Sequence, residues 1–206
     1  MKEKNYTGTV PDQESGAAID ATSCIEFRTA EEAKAFFPVA RERLLYVNGW
    51  HKIAGAISAT FQLTDENGIE VDGPVKEGYY FKIDIPGPGT STGGGYDWVI
   101  VESVENVSTP DVESVGVRVR PASNPTNKDE DIAHFYSESS TSSFTITREV
   151  AKVTAAIYDR NTQINKEASG VIDKIRDSIV GSTGIAAFSK LQWKMLADAL
   201  IKAPPD

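Results

Sequence analysis

Residues 115–120 read VGVRVR, and this strict alternation of valine with glycine or arginine is typical of a strand with one buried face. The same period of two recurs in both directions along the chain. Further strands are predicted at 23–28, 59–64, 79–85, 98–101, 132–136, 144–147 and 152–158. The turns between most of them are of hairpin length, which favours antiparallel pairing. The region 53–160 therefore predicts an antiparallel sheet of six to seven strands.

Helical periodicity flanks this predicted sheet on both sides. A helix over 29–48 begins with the capping box TAEE and carries apolar residues at helical spacing. Pro38 lies inside it, which predicts either a break or kink, or the first residue of a second short helix. Near the C-terminus, two further helices are predicted at 165–181 and 185–203, separated by glycines.

The predicted fold class is α+β. A curved antiparallel sheet, or a partly open barrel, carries an N-terminal broken helix and two C-terminal helices packed on it. Residues 1–20 are polar and unpatterned, which predicts a disordered tail, and residues 21–206 are expected to form a single domain.

This order of elements is similar to the helix-grip arrangement of the START and polyketide-cyclase-like proteins. In those proteins a curved antiparallel sheet wraps a long C-terminal helix around an apolar cavity, so the resemblance implies a cavity here as well. It spans roughly residues 23–203 and rests on element order alone. The chain departs from it at residues 181–184 (GSTG), where the C-terminal helix is expected to be interrupted. A small closed β-barrel with appended helices fits the same order nearly as well.

Charge and composition exclude several classes of function. The formal net charge is −9, and a surface this acidic repels nucleic-acid backbones and anionic membranes, so neither is expected as a partner. The N-terminus has no apolar run typical of a signal peptide, and no stretch reaches the ~18 apolar residues of a membrane span. The expected location is the cytoplasm. Cys24 is the single cysteine, and its apolar neighbours predict a buried, unreactive thiol.

No motif for a metal or a cofactor is found. Residues 87–95 are rich in glycine, but they lead into a strand instead of a helix and no lysine follows, so they do not match a phosphate loop. The acidic run 129–131 lacks the spacing of a cation loop. Two histidines, His51 and His134, are too few for a three-histidine zinc site. No cofactor, metal or catalytic residue is therefore predicted.

Four residues are candidates for ligand binding. His134 and Tyr136 fall on the same face of a predicted strand, and polar groups in an apolar cavity are how a pocket orients its ligand. Trp98 and Tyr158, also on predicted strands, are candidates for the same apolar pocket between the sheet and the C-terminal helices. The alternative is that the face of His134 and Tyr136 is a solvated sheet surface.

Two other features concern surfaces. Trp193 falls off the apolar stripe of its predicted helix, so it is either an exposed interface anchor or packed on the sheet. Eight of the eleven residues 137–147 are serine or threonine, which predicts an edge strand or a solvent-facing one.

Three functions follow from these observations. The leading hypothesis is a non-enzymatic module that binds a small apolar ligand. The alternative is an assembly protein that contacts another chain through a sheet edge or the C-terminal helix, and the third is an enzyme of unrecognised type. The oligomeric state is left open by the sequence.

Overall fold

The computed structural model describes residues 4–55, 59–85, 92–127, 131–165 and 181–203, with the backbone alone for 181–188. The predicted helix over 165–181 and most of the glycine-rich loop and acidic run lie outside these residues. The elements, in chain order, are β1 (Ala17–Glu26), α1 (Ala30–Leu45), a 3-10 turn (Val47–Gly49), α2 (Trp50–Ala54), β2 (Thr60–Thr64), β3 (Tyr80–Asp84), β4 (Asp97–Ser108), β5 (Val112–Pro121), β6 (Thr141–Glu149), β7 (Lys152–Thr162) and α3 (Gly181–Leu200).

The seven strands form one sheet in the order β1-β7-β6-β5-β4-β3-β2, and every neighbouring pair is antiparallel. β1 and β2 are its two edges, so the sheet does not close into a barrel. The predicted α+β class and the open antiparallel sheet are confirmed. The first strand of the chain pairs with the last because β1 crosses to the far edge, beside β7.

One face of the sheet, here called the inner face, packs against the helices. Valines of β4 and β5, Phe144 and Ile146 of β6, and Ile157 of β7 form a continuous core with apolar residues of α1, α2 and α3. Trp50 of α2 lies fully buried among the phenylalanines, with its ring centroid 4.9 Å from that of Phe144. The alternation of polar and apolar residues along each strand decides which side chains form this face, because every second residue of a strand points the same way.

Helix α1 begins where the capping box predicts. The Thr29 hydroxyl accepts a hydrogen bond from the Glu32 backbone N–H at 3.1 Å, and the Glu32 carboxylate accepts from the N–H of Arg28. The helix continues through Pro38, so the predicted break there is wrong, and the interruption comes after Leu45 instead. Buried apolar residues on both sides of the proline, including Phe37 and Ala40, hold the helix together despite the missing hydrogen bond.

The C-terminal helix also differs from the prediction. Residues 181–184 have helical backbone within α3 and do not interrupt it. No helix among the described residues is long and apolar enough to cross a membrane.

Residues 4–16, here called the N-terminal arm, cross the opposite, outer face of the sheet. Thr9 and Val10 are buried there, and the Ser143 hydroxyl of β6 donates to the Thr9 carbonyl at 2.8 Å. β1 already begins at Ala17. The prediction of a disordered tail over residues 1–20 therefore differs from the structure over the described part of that segment, because hydrogen bonds anchor a polar sequence that apolar patterning does not reveal.

The arm also explains the serine- and threonine-rich strand. β6 lies third from the edge, between β5 and β7, and its outward residues Ser143, Thr145 and Thr147 are buried. The prediction of an edge or solvent-facing strand is wrong. The hydroxyls of Ser143, Thr145 and Thr147 are hydrogen-bonded to the arm and to neighbouring strands, as in the 2.8 Å contact between Thr147 and Ser114. The outward hydroxyl of Thr141, at the start of β6, is the exception among these described residues, because it is buried without a partner.

Candidate functional site

A carboxylate lies in the interior between the sheet and α3. On β7, Ala155, Ile157 and Asp159 alternate onto the inner face, and Asp159 is opposite Ser142 on β6 and Ile19 on β1. Only 1% of Asp159 is exposed. A buried acid on the core side of a central strand is uncommon unless it is paired, so its partners decide what it does.

Asp159 is hydrogen-bonded by two neutral donors. The Ser142 hydroxyl donates to Oδ1 at 2.7 Å, and the Trp193 indole N–H of α3 donates to Oδ2 at 2.8 Å. Burial raises the pKa of the Asp159 carboxyl to about 6, although these two hydrogen bonds act in the opposite direction. The group therefore changes charge close to neutral pH.

Trp193 is directed at the sheet. Its ring meets Phe144 edge-on at 5.3 Å and lies 6.3 Å from Phe61. The sequence left two placements for Trp193, an exposed interface anchor or packing on the sheet. The structure shows the second, with the ring partly buried against the core. Together with Trp50 these rings form an aromatic cluster beside Asp159.

Tyr136 joins the same interior from a different element. It lies in the segment before β6, bridged to Ile164, and its hydroxyl is hydrogen-bonded with Ser189 of α3. Ser189 and Trp193 are four residues apart, so they share one face of the helix. Burial raises the pKa of the Tyr136 hydroxyl to about 12, and the nearby Asp159 charge acts in the same direction.

His134 is buried beside Tyr136, with 6% of its surface exposed. The predicted strand over 132–136 is absent: the segment makes one isolated bridge and is held by Asn165, whose side-chain amide donates to the carbonyls of Ile132 and His134. The imidazole stacks on Phe135 at 4.4 Å, and its Nδ1 accepts from the Tyr136 N–H at 2.9 Å. Burial lowers the pKa of His134 to about 3, so the ring is neutral with its proton on Nε2.

The other two predicted ligand residues lie elsewhere. Trp98 alternates with Val99 of the core and so lies on the outer face, where its indole N–H donates to Gly93. Tyr158 is also on the outer face, with the Arg160 guanidinium 5.2 Å from its ring. The structure thus brings His134 and Tyr136 together but separates Trp98 and Tyr158 from them, because residues 98 and 158 fall on the opposite phase of their strands.

Cys24 is exposed, so the prediction of a buried thiol is wrong. It lies on the outer side of the edge strand β1, whereas its neighbour Ser23 points inward. Beside it an open groove of about 510 Å³ follows β1 and the end of α3. In this groove Lys194 donates to Ser23 at 2.7 Å and pairs with Asp198 at 2.5 Å. Both charged side chains are about half exposed, so this cluster is a surface contact that joins α3 to β1.

Sequence reasoning missed Asp159 and Ser142. The available signal was the strand pattern of 152–158 itself, since extending its alternation by one step places an aspartate on the core-facing phase. Ser142 was hidden in the serine- and threonine-rich segment. Neither the contact with Trp193 nor the one with Tyr136 follows from spacing, because both depend on how α3 packs. Among the described residues, no three His, Cys, Asp or Glu side chains come together in a way that could hold a metal ion.

No family model and no curated protein sequence matches the chain. Several solved structures align with most of the chain. A hypothetical protein from Helicobacter pylori aligns at 12% identity and TM-score 0.48, over 97% of this chain and 99% of that one. Truncated norcoclaurine synthase from Thalictrum flavum aligns at 8% identity with a TM-score of 0.36, over 94% of this chain and 100% of that one. The di-domain ARO/CYC protein BexL aligns at 10% identity with a TM-score of 0.36, over 91% of this chain and 51% of that one. Similarities this low do not bear on ligand or reaction.

Proposed function

We propose that this protein is a non-enzymatic binding module that holds a small, largely apolar molecule between the inner face of the sheet and α3. The observation that carries the proposal is the interior carboxylate of Asp159, hydrogen-bonded by Ser142 and Trp193 beside the aromatic cluster. Apolar walls with a few convergent polar groups are the usual composition of a ligand site.

Tyr136 supplies the second polar group of this site. Its hydroxyl meets Ser189 one helical turn from Trp193, so both polar contacts come from the same face of α3. A ligand held there would contact β6, β7 and α3 together. Trp98 and Tyr158 lie on the outer face and are not part of the proposed site.

Native mass spectrometry of the protein purified gently from its own host tests this proposal. We expect a co-purified small molecule in a ratio of one per chain, and weaker retention in Tyr136→Phe, which removes one interior hydroxyl. Tyr80→Phe is the matched control, because Tyr80 alternates with core-facing Phe81 and lies on the outer face of β3. A protein that carries no adduct and whose folded form binds no apolar reporter dye would contradict the proposal.

Assembly through the edge strand β1 is the second candidate function. β1 pairs on one side with β7 and is the terminal strand of the sheet, and the groove beside it lies next to exposed Cys24. Edge strands offer backbone groups to another chain. The same mass spectra separate the candidates: an oligomer that Thr22→Pro dissociates, with no adduct, favours assembly.

A further inference from the structure

Asp159 differs from Arg148, another buried charged residue of the sheet, in how it is paired. Arg148 on β6 is almost fully buried, and its guanidinium is compensated by the Glu113 carboxylate at 2.6 Å and by three backbone carbonyls. The carboxylate of Asp159 is equally buried, but its donors Ser142 and Trp193 are both neutral. A buried charge normally has an opposite charge beside it.

The cationic side chain that follows Asp159 in the sequence is directed at other acceptors. Arg160 follows Asp159 on the opposite phase of β7, and its Nη1 donates to the Asp20 carboxylate at 2.6 Å and to the backbone carbonyl of Asp159 at 2.8 Å. On the inner side, the described groups that face the carboxylate are Ser142 of β6, Trp193 of α3 and Tyr136. None of these side chains is a cation.

A carboxylate has room for more than two donors. Its two oxygens together accept about four hydrogen bonds, and the described contacts use two of them. The rings of Trp193 and Phe144 lie against each other beside it, and the faces of aromatic rings attract cations. The local chemistry therefore suits a positively charged group with an apolar body.

We infer that the ligand of the proposed site is an organic amine, whose ammonium group pairs with the Asp159 carboxylate while its apolar part lies on the aromatic cluster. This inference rests on the proposed function and specifies the chemical class of its ligand. Such a ligand would supply a positive charge that the described hydrogen bonds to the carboxylate do not, because an ammonium in contact with a buried carboxylate offsets the cost of its burial.

Three probes of matched size and different charge test the inference: benzylamine, benzyl alcohol and benzoate. Binding is followed by the chemical shift of the Trp193 indole proton, which is assigned from Trp193→Phe. We expect benzylamine to bind most tightly, benzoate not to bind, and Asp159→Asn to weaken benzylamine roughly tenfold, as is typical for loss of a charged hydrogen-bond partner. Asp198→Asn is the control, since that half-exposed carboxylate lies in the open groove between β1 and the end of α3.

The outcomes separate the two proposals. If benzyl alcohol binds as well as benzylamine and Asp159→Asn leaves both unchanged, the site binds ligands but the inference about charge is wrong. If none of the probes moves the Trp193 signal and the protein from its host carries no adduct, the proposed function fails and the inference fails with it. Equal weakening by Asp198→Asn would also overturn the inference, because the effect would then be one of overall charge.

Discussion

The indole N–H of Trp193 on α3 donates to the Asp159 carboxylate on β7 over 2.8 Å, and this contact joins the helix to the sheet at a buried charge. The same carboxylate accepts from Ser142, so a single acidic group connects β6, β7 and α3. Because a neutral residue could form such a junction without the cost of burying a charge, the acid is the feature whose removal is most informative.

We expect Asp159→Asn to stabilise the protein at neutral pH. Asparagine can accept from Trp193 and donate to Ser142, so both hydrogen bonds survive while the buried charge is removed. The pKa of Asp159 is about 6 in the folded state, against an ordinary value of 3.8, so the native protein loses stability as pH rises through this window. Urea unfolding at pH 7.5 should show a gain of about 3 kcal/mol, and unfolding at pH 3.5 none. Equal effects at both pH values would contradict the reading of a buried charge.

His134 should remain neutral throughout the physiological range. Burial lowers its pKa to about 3, from an ordinary value of 6.5, so the folded state resists the proton that the unfolded state takes up. Its contribution to stability is present above pH 6.5 and is lost as pH falls toward 3. An NMR titration of the imidazole protons, assigned with His51→Gln, should show no His134 transition between pH 5 and 8. A midpoint near 6.5 would place the ring in solvent.

Thr29→Ala should destabilise the protein by about 1 kcal/mol, because the hydroxyl that caps the Glu32 N–H is lost. Thr29→Ser keeps that hydroxyl and should retain most of the stability. Thermal unfolding and amide exchange over the first turn of α1 measure both variants. If the two substitutions cost the same, the cap does not stabilise the helix.

Deletion of residues 1–10 should lower the free energy of unfolding by about 2 kcal/mol. It removes the buried side chain of Val10 and the Thr9 carbonyl that accepts from Ser143. Tyr6→Phe, which loses one exposed hydrogen bond to Glu149, is the control and should have little effect. An unchanged melting temperature after the deletion would mean that the arm does not stay on the sheet in solution.

Gly116→Ala tests the same arm from the other side. A Cβ at this position would lie 2.5 Å from the hydroxyl oxygens of both Thr7 and Thr9, so the substitution should displace the arm and destabilise the full chain. In the chain without residues 1–10 the obstruction is gone, and alanine in a strand is favoured over glycine by roughly 0.5–1 kcal/mol. The effect of the substitution should therefore change sign between the two backgrounds, which urea unfolding can measure. The same cost in both would show that the arm is not what the Cβ meets.

The alternation of polar and apolar residues was enough to predict the sheet, its antiparallel pairing and the face that packs on the helices. It failed where burial is achieved by hydrogen bonding. The arm residue Thr9 and the strand residues Thr145 and Thr147 are buried polar groups, and no pattern of hydrophobicity distinguishes them from surface ones.

The candidate site was predictable only in part. His134 and Tyr136 were singled out because they share a phase, and they do lie together, but through a loop and not a strand. Trp98 and Tyr158 were included as aromatic residues on predicted strands, although their phase along β4 and β7 places them on the other face. The packing of Trp193 against Asp159 is a contact between elements distant in sequence, and spacing within one element cannot reveal it.

The pairing of β1 with β7 has a consequence for biosynthesis. Cys24 is aligned with Thr154, roughly 130 residues later, and contacts so distant in sequence slow folding. At ordinary translation rates, β1 leaves the ribosome on the order of ten seconds before its partner strand is made. During that interval the backbone groups of β1 have no partner strand, so the nascent chain is open to mispairing until β7 arrives.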